Sequence, residues 1–298
     1  MAEVIKKTED MKARAGILKA RGRSVGFVPT MGTLHEGHLS LIRRAGAEND
    51  AVVLSIFVNP IQFDQRSDFQ SYPRQFESDM EMASGEGVDV VFAPDEIEMY
   101  PEGFIASIVE VNGSLTRGLC GAMRPGHFRG VTTVVSRLFD IVRPDRAYFG
   151  QKDLQQAAVI KKMVEDLGMD IDIVTLPTVR DADGLAVSSR NRHLTGEERR
   201  MAASIHRALE RAAGLFASGE RDVKVFVREM RDIMNSAGIS RIDYISIVDP
   251  ETLEEVAETR AGVVAAVAAW VGGTRLIDNM TLGAGAGQES VLHKAQTV

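Results

Sequence analysis

The chain has 298 residues, with 35 Lys and Arg against 42 Asp and Glu, for a formal net charge of −7. That length suits one large domain or two ordinary ones, and 44% hydrophobic with 26% charged residues is the composition of an ordinary globular protein. The acidic balance argues against a general nucleic-acid role, which needs clustered Lys and Arg, and the single cysteine, Cys120, excludes an internal disulfide and a cysteine-based metal cluster.

Residues 1–23 are charged throughout and carry no apolar core of a secretory signal. The longest low-polarity stretch, 261–273, is too short to span a bilayer. The expectation is a soluble, cytoplasmic protein. From residue 24 the chain alternates β-branched runs with amphipathic stretches. Residues 24–28 read as a buried strand, followed by a Gly-punctuated loop and a helix over about 37–47. Residues 51–58 form an uninterrupted apolar run, as expected for a strand covered on both faces. A helix over about 74–85 leads to a strand at 88–92. The spacing of Val131, Val134, Val135, Leu138 and Ile141 predicts a helix over about 130–142. A short strand at 147–150, a helix over 153–167 and a strand at 171–176 follow.

After about Asn191 the texture changes. Helices are expected over 195–218 and 222–236, the first opened by Thr195 and Glu198 at capping-box spacing. Strands are expected at 242–248, 261–269 and 274–277. Strand–helix–strand alternation argues for a Rossmann-like, doubly wound parallel α/β sheet with a second, smaller α/β domain. The expected division is 1–187, 188–283 and a tail, 284–298, to which no role falls.

The strongest chemical signal joins the first of these strands to its helix: Met31, Gly32, Thr33, Leu34, His35, Glu36, Gly37 and His38. A doubly wound sheet opens its ligand crevice at such a point. Gly37 lets the backbone approach a phosphate, and the helix start offers unpaired N–H groups and positive potential. His35 and His38 are three apart, so both imidazoles fall on one side, where they could neutralise charge building on a phosphate under attack. A zinc reading lacks a third ligand at suitable spacing. His35-x-Gly37-His38 after a first strand resembles the signature of class I aminoacyl-tRNA synthetases and nucleotidylyltransferases, which use ATP attacked at its α-phosphate.

Four further segments sit at comparable places. Asn59 and Gln62 follow the second strand and suit hydroxyls or a carboxylate, though a plain Asn-Pro turn explains them equally well. Arg124, His127 and Arg129 lie in a Gly/Pro-rich basic loop that opens a helix, with His127 as readily structural as ligand-binding. Gly150, Gln151, Lys152 and Asp153 again join strand to helix, with Gln156 one turn past Lys152. Val187, Ser188, Ser189 and Arg190 form a hydroxyl-bearing basic loop whose guanidinium matches phosphate oxygens. In this order, from Val28 to Asn191 and again at Arg275 to Asn279, the chain resembles the pantoate–β-alanine ligase family.

That resemblance implies condensation of D-pantoate with β-alanine through a pantoyl adenylate, with release of pyrophosphate and AMP. It places ATP on residues 31–38, with His38 the proton donor and His35 on the phosphates. It places the nucleotide also on 150–153, with Lys152 on the phosphate, Asp153 on the ribose and Gly150 and Gln151 beside them. Val179 would contact adenine through its backbone, and Val187, Ser188, Ser189 and Arg190 the triphosphate. Gln62 and Gln156 would hold pantoate, with Gln62 also bordering β-alanine. His35, His38, Lys152, Ser188 and Arg190 would be the catalytic set. Mg²⁺ would ride on the ATP phosphates with no protein metal site, and the family expectation is a homodimer. A nucleotidylyltransferase would share the histidines but have no use for Gln62 and Gln156. A tRNA synthetase lacks its basic anticodon module here, and no Gly-x-Gly-x-x-Gly supports a dinucleotide-binding protein.

The charge distribution fits a small anionic ligand. Residues 117–193 carry +3, whereas 1–116 carry −7 and 194–298 carry −3. The stretch 75–116 has no Lys or Arg and reads as a solvated acidic face. Cys120 reads as an inert buried thiol and Trp270 as core or subunit interface. His193, His206 and His293 read as surface residues.

Overall fold

The computed structural model describes residues 2–64, 66–101 and 107–283. His293 and the tail after 283 lie outside the described residues. The strands are β1 (Glu3–Ile5), β2 (Val25–Thr30), β3 (Ala51–Ile56), β4 (Val90–Phe92), β5 (Arg146–Gly150), β6 (Asp172–Leu176), β7 (Arg241–Val248), β8 (Val264–Val271) and β9 (Thr274–Thr281). The helices are α1 (Thr8–Ala20), α2 (Glu36–Glu48), α3 (Arg66–Ser71), α4 (Phe76–Gly85), α5 (Glu96–Met99), α6 (Ser114–Arg117), α7 (Leu119–Met123), α8 (His127–Val142), α9 (Leu154–Asp166), α10 (Gly196–Ala217) and α11 (Val223–Ser236). Short 3-10 turns cover Pro60–Gln62, Gln151–Asp153 and Ser189–His193.

The chain forms two compact units that interleave along the sequence. One comprises Met1–Asn112, Arg124–Gly150 and Val159–Val174; the other comprises Gly113–Met123, Gln151–Ala158 and Thr175–Val298. Compactness therefore does not follow one boundary near residue 188. The cause is visible inside the second unit. Gln155 donates to the carbonyls of Leu115 and Gly118, both at 2.9 Å, and ties the start of α9 to the α6–α7 segment.

The larger sheet has six strands in the order β1-β4-β3-β2-β5-β6. Its β1–β4, β4–β3, β3–β2 and β2–β5 pairs are parallel, with Val25 to Thr30 in register with Ala51 to Ile56. The expected doubly wound sheet is thus present, and strand order reverses between β2 and β5. Phe27, Val53, Leu54, Val90 and Phe92 are fully buried, which is why these strands read as continuous apolar runs. Helix α8 buries the predicted stripe of Val131, Val134, Val135, Leu138 and Ile141. Several elements escaped the sequence reading: β1, α1 and the short helices α3, α5, α6 and α7. Helix α1 buries only Met11, Ala15 and Leu18 amid charged residues, and β1 is three residues long with only Ile5 buried.

Asp145 links three elements of this unit. It accepts from Val25 N–H at 2.6 Å and from the Lys19 ammonium at 2.5 Å. Burial alone would raise its pKa, but these two donors outweigh burial and hold the carboxyl below its ordinary value. A carboxylate depressed in the folded state stabilises above its unfolded pKa of about 3.9, and that contribution is lost as pH falls through the lower folded value. Asp145→Asn is therefore expected to lower the melting temperature at pH 7, with the gap to wild type closing as the pH is taken to about 3 in thermal scans.

In the second unit β7, β8 and β9 form an antiparallel sheet in the order β7-β8-β9, with α10 and α11 supplying Ile205, Leu209, Phe226 and Met230 to its core. The predicted capping box is formed: Thr195 Oγ1 accepts from Glu198 N–H, and the Glu198 side chain accepts from Thr195 N–H. Strand β9 runs four residues beyond its expected end at Ile277. Asp278 and Asn279 are both buried in this strand: Arg180 pairs with Asp278 at 2.6 Å, and Asn279 bonds the Gln151–Asp153 turn. The low-polarity stretch at 261–273 is a turn followed by β8, and no helix among the described residues is long and apolar enough to cross a membrane. Trp270 is half-buried rather than core: its indole N–H donates to Asp243 at 3.0 Å and Arg241 lies 4.0 Å over its ring. His193 is exposed as expected, but His206 is half-buried beneath Gly184, where a Cβ would lie 2.3 Å from the imidazole.

Candidate active site

In the first unit the chain leaves β2 through a turn that only a few residues can make. Gly32 (φ 79°) and Thr33 (φ 55°) both lie in the left-handed region. The turn is held by Asp79, a fully buried residue of α4 that accepts from Thr33 N–H at 2.8 Å and Leu34 N–H at 2.7 Å. A Cβ on Gly32 would sit 2.8 Å from Asp79 Oδ2, so glycine is needed for space as well as for φ. Thr33 Oγ1 also donates to Pro73 O at 3.0 Å.

This geometry starts α2 at Glu36 with His35 as its N-cap residue. The His35 and His38 rings stack with centroids 4.1 Å apart and planes 26° from parallel, so the two imidazoles share one side as their spacing predicts. Gly37 has a further reason to be glycine, because a Cβ there would lie 3.0 Å from the His35 ring.

The Asn-Pro segment after β3 is more than a turn. Asn59 is 1% exposed and Gln62 is 9% exposed. Asn59 Nδ2 donates to Gln62 Oε1 at 2.9 Å and to Gly130 O at 3.1 Å, while Gln62 Nε2 reaches Met31 Sδ at 3.2 Å. Helix α8 approaches this segment so closely that a Cβ on Gly130 would fall 2.4 Å from Ile61 O. His127 Nδ1 lies 2.8 Å from Gln62 O, a pure acceptor, so Nδ1 carries the proton and Nε2 accepts from Arg124 at 3.2 Å. Arg124 in turn pairs with Asp64 at 3.2 Å. His127 and Arg124 thus fix the backbone around Gln62, which gives His127 a structural role. The unit brings Met31, His35, His38 and Gln62 to the carboxyl ends of β2 and β3, at the point where strand order reverses.

In the second unit Gln151–Asp153 form the turn into α9. Asn279 of β9 holds that turn by donating to Gln151 O at 2.9 Å and Lys152 O at 3.0 Å, while Gln151 Nε2 donates back to Asn279 Oδ1 at 3.1 Å. Gln155 is buried in structural bonds, whereas its neighbour Gln156 is half-buried, as is Lys152; Asp153 is exposed. The Val179 carbonyl accepts from Val187 N–H at 2.9 Å, and Arg180 pairs with Ala186, so 179–187 is a narrow hairpin. Ser188 caps the following turn by accepting from Arg190 N–H at 3.3 Å, and Asn191 Nδ2 donates to Ala186 O at 3.0 Å. Val187, Ser188, Ser189 and Arg190 are all half-buried.

Asp79, Asn279 and Tyr100, whose hydroxyl donates to Asn59 Oδ1 at 2.7 Å, were not singled out from sequence. Asp79 lay in the stretch read as a solvated acidic face, and that reading needs correction. Besides Asp79, Asp89 accepts from Val52 N–H, Asp95 caps α5 and Glu98 takes Lys7 and Thr8. Asn279 had a weak signal in the family-like segment from Arg275, and Tyr100 had none.

A parallel sheet whose strand order reverses beside a stacked His-x-Gly-His pair defines an α/β protein of the nucleotide-binding class. Comparison with known proteins narrows this. Residues 3–281 match the family described as pantoate-beta-alanine ligase, and the chain belongs to that family. It is 58% identical over 264 residues to the pantothenate synthetase of Moorella thermoacetica, covering 89% of this chain and 93% of that protein. It is 51% identical to the pantothenate synthetase of Thermotoga neapolitana, over 94% of this chain and 99% of the other. Among solved structures, pantothenate synthetase from Thermus thermophilus superposes with a TM-score of 0.88 at 45% identity, over 94% of this chain and 99% of that one. A pantoate-beta-alanine ligase from Francisella tularensis, complexed with beta-gamma ATP and beta-alanine, gives a TM-score of 0.80 at 34% identity, over 94% of this chain and 98% of that one.

Proposed function

We propose that this chain condenses D-pantoate with β-alanine in two steps at the residues described above. The pantoate carboxylate attacks the α-phosphate of ATP and releases pyrophosphate; the β-alanine amine then attacks the acyl adenylate and releases AMP. The observation that carries this reading is the stacked His35–His38 pair at the start of α2, in the unit that also holds the Gln62 amide beside Met31.

The first step brings a carboxylate onto a polyanion, so donors must meet charge that develops at the phosphates. In this reading residues 31–38 offer the N–H groups of a helix start, with His38 as proton donor to the departing oxygen and His35 on the phosphates. Lys152, Ser188 and Arg190 bind phosphate oxygens, Gly150, Gln151 and Asp153 line the ribose side, and Val179, Val187 and Ser189 contribute backbone or hydroxyl contacts. Gln62 and Gln156 hydrogen-bond pantoate. The second step needs orientation more than a base, because the acyl adenylate is already activated and good alignment contributes roughly 7 kcal/mol or more.

In this reading Mg²⁺ rides on the nucleotide phosphates, where it neutralises charge. Residues 1–187 supply most ATP and pantoate contacts in this reading. A cytoplasmic location and a homodimeric assembly belong to it too. The test is product analysis with purified protein. Pyrophosphate release should require pantoate alone, and AMP with pantothenate should appear only when β-alanine is added. Pyrophosphate release that ignores pantoate would overturn the assignment.

A further inference from the structure

Asn59 and Gln62 belong to a hydrogen-bond chain whose direction follows atom by atom. Gly130 O is a backbone carbonyl and can only accept, so the Asn59 atom 3.1 Å from it is the amide nitrogen. The same nitrogen donates to Gln62 Oε1 at 2.9 Å. Asn59 Oδ1 is thereby turned toward Tyr100, whose hydroxyl donates to it at 2.7 Å. With its oxygen engaged by Asn59, Gln62 presents its amide nitrogen to Met31 Sδ at 3.2 Å. A thioether is a weak acceptor, so a carboxylate or hydroxyl oxygen readily takes its place.

We propose that Tyr100 is a positioning residue for the carboxylic-acid substrate: its hydroxyl anchors the Asn59 amide, and through Asn59 it keeps the Gln62 N–H donor facing the ligand. The proposal rests on the reading of Gln62 as a pantoate contact. The backbone of Gln62 is already held, since His127 bonds its carbonyl and Gly130 packs where a Cβ would lie 2.7 Å from its Cα. The placement of its side-chain amide is what Asn59 and, behind it, Tyr100 supply. Tyr100 is 4% exposed, and burial pushes its hydroxyl well above the ordinary tyrosine range, so it stays a protonated donor at assay pH. Its ring packs 6.1 Å from that of Phe57, a contact that phenylalanine retains.

Steady-state kinetics of Tyr100→Phe, Gln62→Ala and the double variant test this. Tyr100→Phe strands the buried Asn59 oxygen, and it is expected to raise the pantoate KM about 10-fold while the ATP KM stays within about two-fold. On the Gln62→Ala background the same change should add less than about two-fold, since the two residues act through one amide. If Gln62→Ala raises the pantoate KM and Tyr100→Phe does not, the proposal fails and the Gln62 reading stands. If Gln62→Ala leaves the pantoate KM unchanged, the Gln62 reading fails and takes the proposal with it. Equal effects on pantoate and ATP, or full additivity in the double variant, would make Tyr100 merely structural and overturn the proposal. Should Tyr100→Phe not fold, Asn59→Asp, which keeps the size but cannot donate to Gln62 Oε1, is read in the same way.

Discussion

Replacing His38 with alanine is expected to slow pantoate-dependent pyrophosphate release by about 10²- to 10⁴-fold, the range for loss of a positioned acid or a transition-state donor. The fold should survive. His38 is half-buried on the first turn of α2, its backbone N–H bonds His35 O at 2.8 Å regardless of side chain, and the turn before it is held by Asp79. The melting temperature should therefore stay within about 3 °C of wild type, given about 2–4 °C per kcal/mol in a chain of this size. The imidazole also stacks on His35, so some of the loss will come from a less well-placed His35. A His35→Ala, His38→Ala double variant separates the two contributions, because shared action through the stack makes its defect smaller than the product of the single defects. Rapid-quench measurement of the first turnover reads the adenylation step directly. A His38→Ala variant with near wild-type adenylation, or one that loses its thermal transition, would remove His38 from the chemistry.

Asp79→Ala should damage stability and activity together. Its carboxylate is 1% exposed and is the acceptor for two backbone N–H groups in the turn that carries the His-x-Gly-His segment. Leaving buried donors unsatisfied costs about 1–3 kcal/mol each, so the melting temperature should fall by roughly 5–15 °C. The left-handed Thr33 loses the bond that holds it in place, and the direction in which α2 begins is then poorly fixed. Activity should fall at temperatures where the variant is still folded, with a raised ATP KM as its sign. Asp79→Asn keeps one acceptor oxygen and should be intermediate. Thermal unfolding followed by circular dichroism, paired with kinetics well below the transition, checks both. Unchanged stability together with unchanged ATP KM would show that Asp79 does not hold the turn.

The contrast between these residues shows where sequence is informative. His35 and His38 stand out because their spacing fixes their geometry: residues three apart at a helix start face the same way whatever surrounds them. The parallel sheet is legible for a similar reason, since strands covered on both faces read as unbroken apolar runs at β2 and β3. The stripe on α8 and the capping box at Thr195 are also local patterns. Asp79 belongs to the opposite case. In a run of acidic residues without a single Lys or Arg, nothing local distinguishes the one carboxylate whose partners are backbone N–H groups 45 and 46 positions away.

Alternation of elements, the histidine pair and the family-like order of motifs were thus determined by the sequence itself, because each depends on residues close in the chain. Tertiary structure decided which polar side chains bond which. It made Gln155 a structural tie beside Gln156, bonded His127 to the Gln62 carbonyl, and set Tyr100 behind Asn59, Asn59 behind Gln62 and Asn279 behind the Gln151–Asp153 turn. Those assignments rest on hydrogen bonds between elements far apart in sequence, and a buried polar group has a direction only once its partner is in place.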